Sequence, residues 1–295
     1  MDRPYNRAAE DLGNVVALEH VNTTIPDQRL ATLYYISGLG LTRDPYLMTG
    51  VDNMWANVGK SQFHLPTGRP QVLRGVVGLA LPGREALLAR LAAVKKHLED
   101  TRFAFHEHND YVETVSPWGN RIRCHDVEHE PDRRFGRMQL GMPYVEFSVP
   151  VGTAAGIVRF YREILATPAR VAEGDETLRA VVSVGPDQSL IFRESDAELP
   201  DFDGHHVQVY LADFSGPYRR LLERGLISQE DDQHQYRFIQ IVDLDTGRPL
   251  FAIEHEVRSM RHPLYARPLV SRNPAQTNRH YMPGHDAWRG AFAPE

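Results

Sequence analysis

The stretch LEHVNTTIPD, Leu18 to Asp27, decides how the chain is read, because its pattern returns three more times downstream. Alternation places His20, Asn22 and Thr24 on one side of a strand and Val21, Thr23 and Ile25 on the other. The run LATLYYISGLGL follows, with Leu30, Leu33, Tyr34 and Leu41 spaced for a short amphipathic helix ending at Gly38 and Gly40. MWANVG and SQFHLP then read as short strands broken at Gly59 and Lys60. In the second of these Phe63 and Leu65 share one face, while Gln62 and His64 share the other, the side to which His20 points.

The same order of strand, helix and strands recurs. VVGLALPG, REALLARLAAVKKHL and the hairpin YVETVSPWGNRIRCHDV make a second unit, with Val76 at the place of His20. Its helix carries the apolar stripe Leu87, Leu88, Leu91, Val94 and Leu98. YVEFSVPVG, GIVRFYREIL, ETLRAVVSVG and QSLIFRE make a third, in which counting back from Tyr161 lands on Glu146. GHHVQVYLAD, SGPYRRLLERGL, RFIQIVDL and PLFAIEHEV make the fourth, with His206 at the strand start. These units set the expected boundaries: an N-terminal arm over 1–14, modules one and two over 15–127, a linker over 128–140, modules three and four over 141–257, and an extended C-terminal arm over 258–295. One such unit leaves a sheet face bare, so the units must associate in pairs.

Composition narrows the classes. Among 295 residues 42% are hydrophobic and 24% charged, with a formal charge of −6, which suits a globular protein and not a nucleic-acid binder with its basic patch. No apolar run reaches 18 residues, and no basic-then-apolar start is present, so neither a membrane span nor a signal peptide is expected. The single cysteine, Cys124, is compatible with a reducing cytoplasm and sits in an alternating strand as a half-buried structural thiol.

HVNTTIPD and HVQVYLAD at strand starts, the helix phrases LYYISGLGL and RFYREIL, and the turns SPWGNRI and DLDTGRPL together resemble the vicinal oxygen chelate superfamily, over roughly Val15 to Val257. That superfamily includes glyoxalase I, methylmalonyl-CoA epimerase, extradiol dioxygenases and drug-resistance proteins. The resemblance implies an α+β fold of four βαβββ modules paired into two cup-shaped mixed sheets with the helices outside. It also implies metal ligands on the first and last strands of paired modules. Carried onto this sequence, these are His20 and His64 from module one and His206 and Glu254 from module four. Module two offers Val76 and Arg123; module three offers Glu146 with Leu190, Ile191 or Phe192. Module one is therefore expected to pair with four, and two with three.

Each ligand has rivals. Gln62 shares the face of His64, His205 precedes His206 but falls on the apolar face, and Glu254 is preferred to His255 and Glu256 because Phe251 and Ile253 fix the inward face. Arg123 and Glu146 are expected to form an ion pair in the second cup, and Tyr265, Arg267 and His280 to lie on a solvated arm. Three imidazoles and a carboxylate suit one divalent ion such as Fe(II), Zn(II), Mn(II) or Ni(II). The expected activity is that of a metal-dependent isomerase, epimerase or lyase acting on a small substrate with vicinal oxygens through a metal-bound enolate, with Glu254 and His64 as catalytic groups. The alternatives are an Fe(II) extradiol dioxygenase with His64 as acid or base, and a non-catalytic binding or resistance protein. A cytoplasmic location is expected without nucleic-acid or membrane partners, and the long arm is compatible with a homodimer.

Overall fold

The computed structural model describes residues 5–44, 52–127, 135–173 and 177–267. Four modules are present, each a strand, a helical segment and three further strands. Module one comprises β1 (Val15–Asn22), a helix, β2 (Thr42–Arg43), β3 (Asn53–Val58) and β4 (Ser61–Pro66). Module two comprises β5 (Gly75–Ala80), a helix, β6 (Ala104–Glu107), β7 (Val112–Val115) and β8 (Arg121–His125). Module three has β9 (Gly141–Pro150), a helix, β10 (Ala169–Glu173), β11 (Leu178–Ser183) and β12 (Ser189–Ser195). Module four has β13 (His206–Leu211), a helix, β14 (Ile227–Asp232), β15 (Gln235–Val242) and β16 (Pro249–Ser259).

The modules pair one with four and two with three. One eight-stranded sheet has the order β14-β15-β16-β13-β1-β4-β3-β2, and the other β10-β11-β12-β9-β5-β8-β7-β6. Each is seamed at its centre by two first strands running antiparallel, with Val21 opposite Val207 in one and Val77 opposite Val145 in the other. Outside the seam each first strand runs parallel to the last strand of its own module.

Alternation divides each sheet into two faces. Val21, Phe63, Val207 and His255 lie toward the helices, and a continuous core of buried residues joins that side of both sheets. The helices are α1 (Gln28–Ala31), α2 (Arg84–Lys95), α3 (Ala154–Glu163) and α4 (Ser215–Leu222). Asp27 caps α1 by accepting from the amides of Arg29 and Leu30. The expected amphipathic helix of module one is an α-turn followed by a π-helical stretch over Thr32–Gly38, in which the Leu39 amide reaches the Tyr34 carbonyl at 2.9 Å. The wider turn carries Tyr34 and Tyr35 together into the core, their rings edge-to-face at 4.9 Å. Among the described residues no helix is long and apolar enough to cross a membrane.

The seam between β5 and β9 leaves no room at Gly75, where a Cβ would run into the Glu146 carbonyl of the facing strand. Gly75→Ala is expected to lower stability by about 1–3 kcal/mol through overpacking, read from the urea midpoint at unchanged slope.

Candidate metal centre

The paired first strands bring His20 and His206 to one place. In β1 and β13 they stand on the concave face, one on each side of the Val21–Val207 pair, and their ring centroids are 5.6 Å apart. His64 joins them from β4, 5.7 Å from the His20 ring. Ligand nitrogens of all three lie within 4.8 Å of one another; among the described residues no other group of histidine, cysteine or acidic side chains has this spacing. His20 and His206 are buried, and the Nε2 atoms of all three imidazoles are shielded from solvent, those of His20 and His64 without a hydrogen-bond partner. A buried polar atom left unpaired costs about 1–3 kcal/mol. A divalent ion is a partner that suits imidazole nitrogens gathered this closely.

Each ring is held from behind. The Glu19 carboxylate lies 3.3 Å from His20 Nδ1, and Asn22 Nδ2 lies 2.6 Å from His64 Nδ1. Trp55, opposite His64 in the β3–β4 pair, stacks on it at 3.8 Å and meets the His20 ring edge-on at 4.9 Å. Burial lowers the pKa of His20, with Glu19 and Glu256 only partly offsetting it. Burial, aided by the two neighbouring imidazoles, holds His64 well below its ordinary value. Both are therefore neutral near pH 7, the form a metal ligand or a base requires.

The carboxylate at the centre is Glu256, where the sequence reading chose Glu254. Glu256 Oε2 lies 3.3 Å from His206 Nε2, whereas Glu254 pairs with Arg237 at 2.5 Å. Register explains the difference. His64 pairs with Asn22 across β1 and β4, and Glu256 pairs with Gln208 across β13 and β16, so these two hold equivalent levels. Gln62 and Glu254 share the other level, opposite His20 and His206 respectively. Alternation had identified the correct face of β16 but placed the carboxylate two residues early. Burial pushes the Glu256 pKa upward, but Arg258, followed by His206 and His20, overcomes this and holds it well below the carboxylate range.

The neighbours in sequence serve elsewhere. His205 precedes β13 and bonds Asp203 at 2.6 Å. His255 faces the helices, bonded to Tyr161 at 2.6 Å and stacked on Phe238 at 4.3 Å. Arg267, expected on a solvated arm, is buried and returns to module one, where it pairs with Asp44 at 2.6 Å. Tyr265 packs on Tyr210 at 4.8 Å. His280 lies outside the described residues.

No known family's profile matches the sequence, and no curated protein does. Solved structures do. Glyoxalase I from Zea mays superposes with a TM-score of 0.56 at 11% identity, over 82% of this chain and 92% of that one. A Bacillus subtilis subsp. subtilis str. 168 protein, provisionally described as a dioxygenase, gives 0.54 at 14% identity, over 84% and 86%. Both share this chain's overall fold. The chain has the vicinal oxygen chelate fold.

Among the described residues, only the first of the two cups that this vicinal oxygen chelate fold provides converges histidines. Register places Val76, Arg123, Tyr144 and Ile191 in the second cup where His20, His64, His206 and Glu256 stand in the first. Phe135 packs against Val76 and Tyr144, with Ile191 beside them, so three of the four equivalent positions join a small apolar cluster. Gly78 makes room for this, since a Cβ there would strike the Tyr144 ring. Glu146, expected at the histidine position, is the counterpart of Gln208. The expected Arg123–Glu146 pair is replaced by pairs within each module, Arg123 with Glu113 at 3.2 Å and Glu146 with Arg193 at 2.5 Å. Cys124 is buried, and burial pushes its thiol up to about 12, which suits the structural role expected of it.

Burial lowers the His255 pKa to about 3. The unfolded chain takes up that proton near pH 6.5 while the folded chain refuses it until about pH 3, so acid favours unfolding across this window. Between those limits His255→Gln is expected to flatten the loss of stability with falling pH by up to about 1.4 kcal/mol per pH unit, read from urea unfolding at pH 6.5, 5.5 and 4.5.

Proposed function

We propose that the chain is a metal-dependent enzyme acting on a small substrate with adjacent oxygens, by proton transfer at the carbon next to them. The observation that carries this reading is the convergence of three buried imidazole nitrogens, of which that of His206 lies beside an ionised carboxylate. His20, His206 and Glu256 are the residues that would hold the ion, two from module-initial strands and one from the last strand. The ion, when bound, supplies a Lewis acid for negative charge developing on the two oxygens.

The proton falls to His64. Glu256 is a poor base, because Arg237 and Arg258 both contact it at 2.6 Å and keep it ionised. His64 has no such anchor. With the Asn22 amide nitrogen donating to its Nδ1, it presents an Nε2–H to the cup; with that amide turned, it presents a lone pair. An imidazole that can show either form, neutral at pH 7 and clamped by Trp55, is suited to carrying a proton to and from substrate. The stacked Trp55 ring covers one face of it and limits water there.

A second reading rests on the same donor set. Two histidines and one carboxylate are the facial arrangement used by Fe(II) oxygenases, which favours a ring-cleaving dioxygenase in which His64 again handles the proton.

Elemental analysis of the purified protein is expected to find one divalent ion per chain. His206→Ala and Glu256→Ala are expected to lose it while the far-UV circular dichroism is kept; Glu254→Ala is expected to retain it. His64→Ala is expected to retain metal and lose turnover by about 10²–10⁴-fold, the usual contribution of a positioned acid–base group. Oxygen consumption with a panel of catechols assigns the dioxygenase reading, and its absence alongside turnover of α-hydroxycarbonyl compounds assigns the isomerase or lyase reading. Full metal content in His206→Ala would remove the proposed centre.

A further inference from the structure

The strand carrying His20 is not regular. Leu18 is opposite Val209 and His20 is opposite Gln208, so one residue, Glu19, is inserted between two consecutive partners. In an unbroken strand Glu19 would alternate with His20 and turn its carboxylate to the face of Ala17 and Val21, toward the apolar core. The bulge instead brings both side chains to the concave face.

There Glu19 is fully engaged. Its Oε2 lies 3.3 Å from His20 Nδ1 and accepts from Arg258 Nη1 at 3.1 Å, and its Oε1 accepts from the Tyr210 hydroxyl at 3.0 Å. Arg258 reaches on to Glu256 Oε1 at 2.6 Å and is braced from behind by Gln235 at 2.8 Å. Glu256 in turn stands 3.3 Å from His206. The contacts form a continuous chain, His20 to Glu19 to Arg258 to Glu256 to His206, which joins residues of the first module to residues of the last.

We infer that Glu19 is a positioning residue for the ion, acting through His20, and that Arg258 couples it to Glu256 on the opposite module. The inference rests on the metal-centre reading above. A carboxylate can only accept a hydrogen bond, so His20 must carry its proton on Nδ1 and offer the Nε2 lone pair to the cup. His64, backed by an amide, is not constrained in this way. The difference between the two backing residues assigns the two imidazoles to different tasks: Glu19 makes His20 a dedicated donor, while Asn22 leaves His64 free to exchange a proton. Partners of this kind behind a ligating histidine are generally worth 10–100-fold in metal affinity.

The test is metal affinity, measured with Co(II) and Zn(II) by competition against a chromophoric chelator, together with the visible spectrum of the Co(II)-loaded protein. Glu19→Ala is expected to weaken binding by about 10–100-fold and to shift the Co(II) bands. Glu19→Gln, which keeps an acceptor oxygen of the same size, is expected to lose less affinity and to keep bands near those of the unaltered protein, and it remains informative should the alanine variant fail to fold. Glu113→Ala serves as the control, because it removes an equivalent carboxylate–arginine pair in the second cup; its melting temperature is expected to change without any change in metal affinity. Affinity within twofold of the unaltered protein in Glu19→Ala, or in Glu19→Gln should the alanine variant not fold, overturns the inference. Failure of the unaltered protein to bind either ion overturns the metal centre itself, a result separable from the first.

Discussion

The antiparallel pairing of β1 with β13 is the contact on which the rest of the molecule depends. It merges the first and last modules into one sheet, sets Val21 against Val207 at the axis, and thereby fixes the spacing of His20 and His206 on the concave face. The parallel pairings at its flanks then carry His64 and Glu256 to the same level. Backbone hydrogen bonds thus set the positions, and the side chains need only be of the right kind.

Much of this was legible in the sequence. Alternation in LEHVNTTIPD and HVQVYLAD put His20 and His206 on cavity faces, and the confinement of ligand-type residues to the outer modules pointed to the pairing found. What alternation cannot supply is height along a strand, because a period of two repeats identically at every second residue. Glu254 and Glu256 satisfy it equally. Phe251 and Ile253, on which the preference for Glu254 rested, fix the face and cannot decide between them. The register counterpart of His64 is Glu256, 50 residues beyond His206 against 44 from His20 to His64, since β15 and β16 are longer than β3 and β4. The bulge at Glu19 and the burial of Arg267 left no local trace, being products of contacts between distant segments.

The two cups show how duplicated scaffolds diverge. Both retain the same seam and the same flanking strands, yet one converges imidazoles while the other holds Val76, Arg123, Tyr144 and Ile191 at the matching positions. Burying polar groups without partners is unfavourable. In the second cup the polar groups are paired, Arg123 with Glu113 and the Tyr144 hydroxyl with His125, and Gly78 leaves room for the Tyr144 ring.

The separation of 186 positions between His20 and His206 has a consequence for biogenesis. During synthesis the first histidine leaves the ribosome long before its partner exists, while the two middle modules, adjacent in sequence, can already zip together. The outer sheet must wait for the final quarter of the described chain and close over the largest loop in the molecule, a slow, high-contact-order event. Until β13 joins β1 the three imidazoles stay apart, so the cluster is a product of the last step of assembly and not of the first module alone.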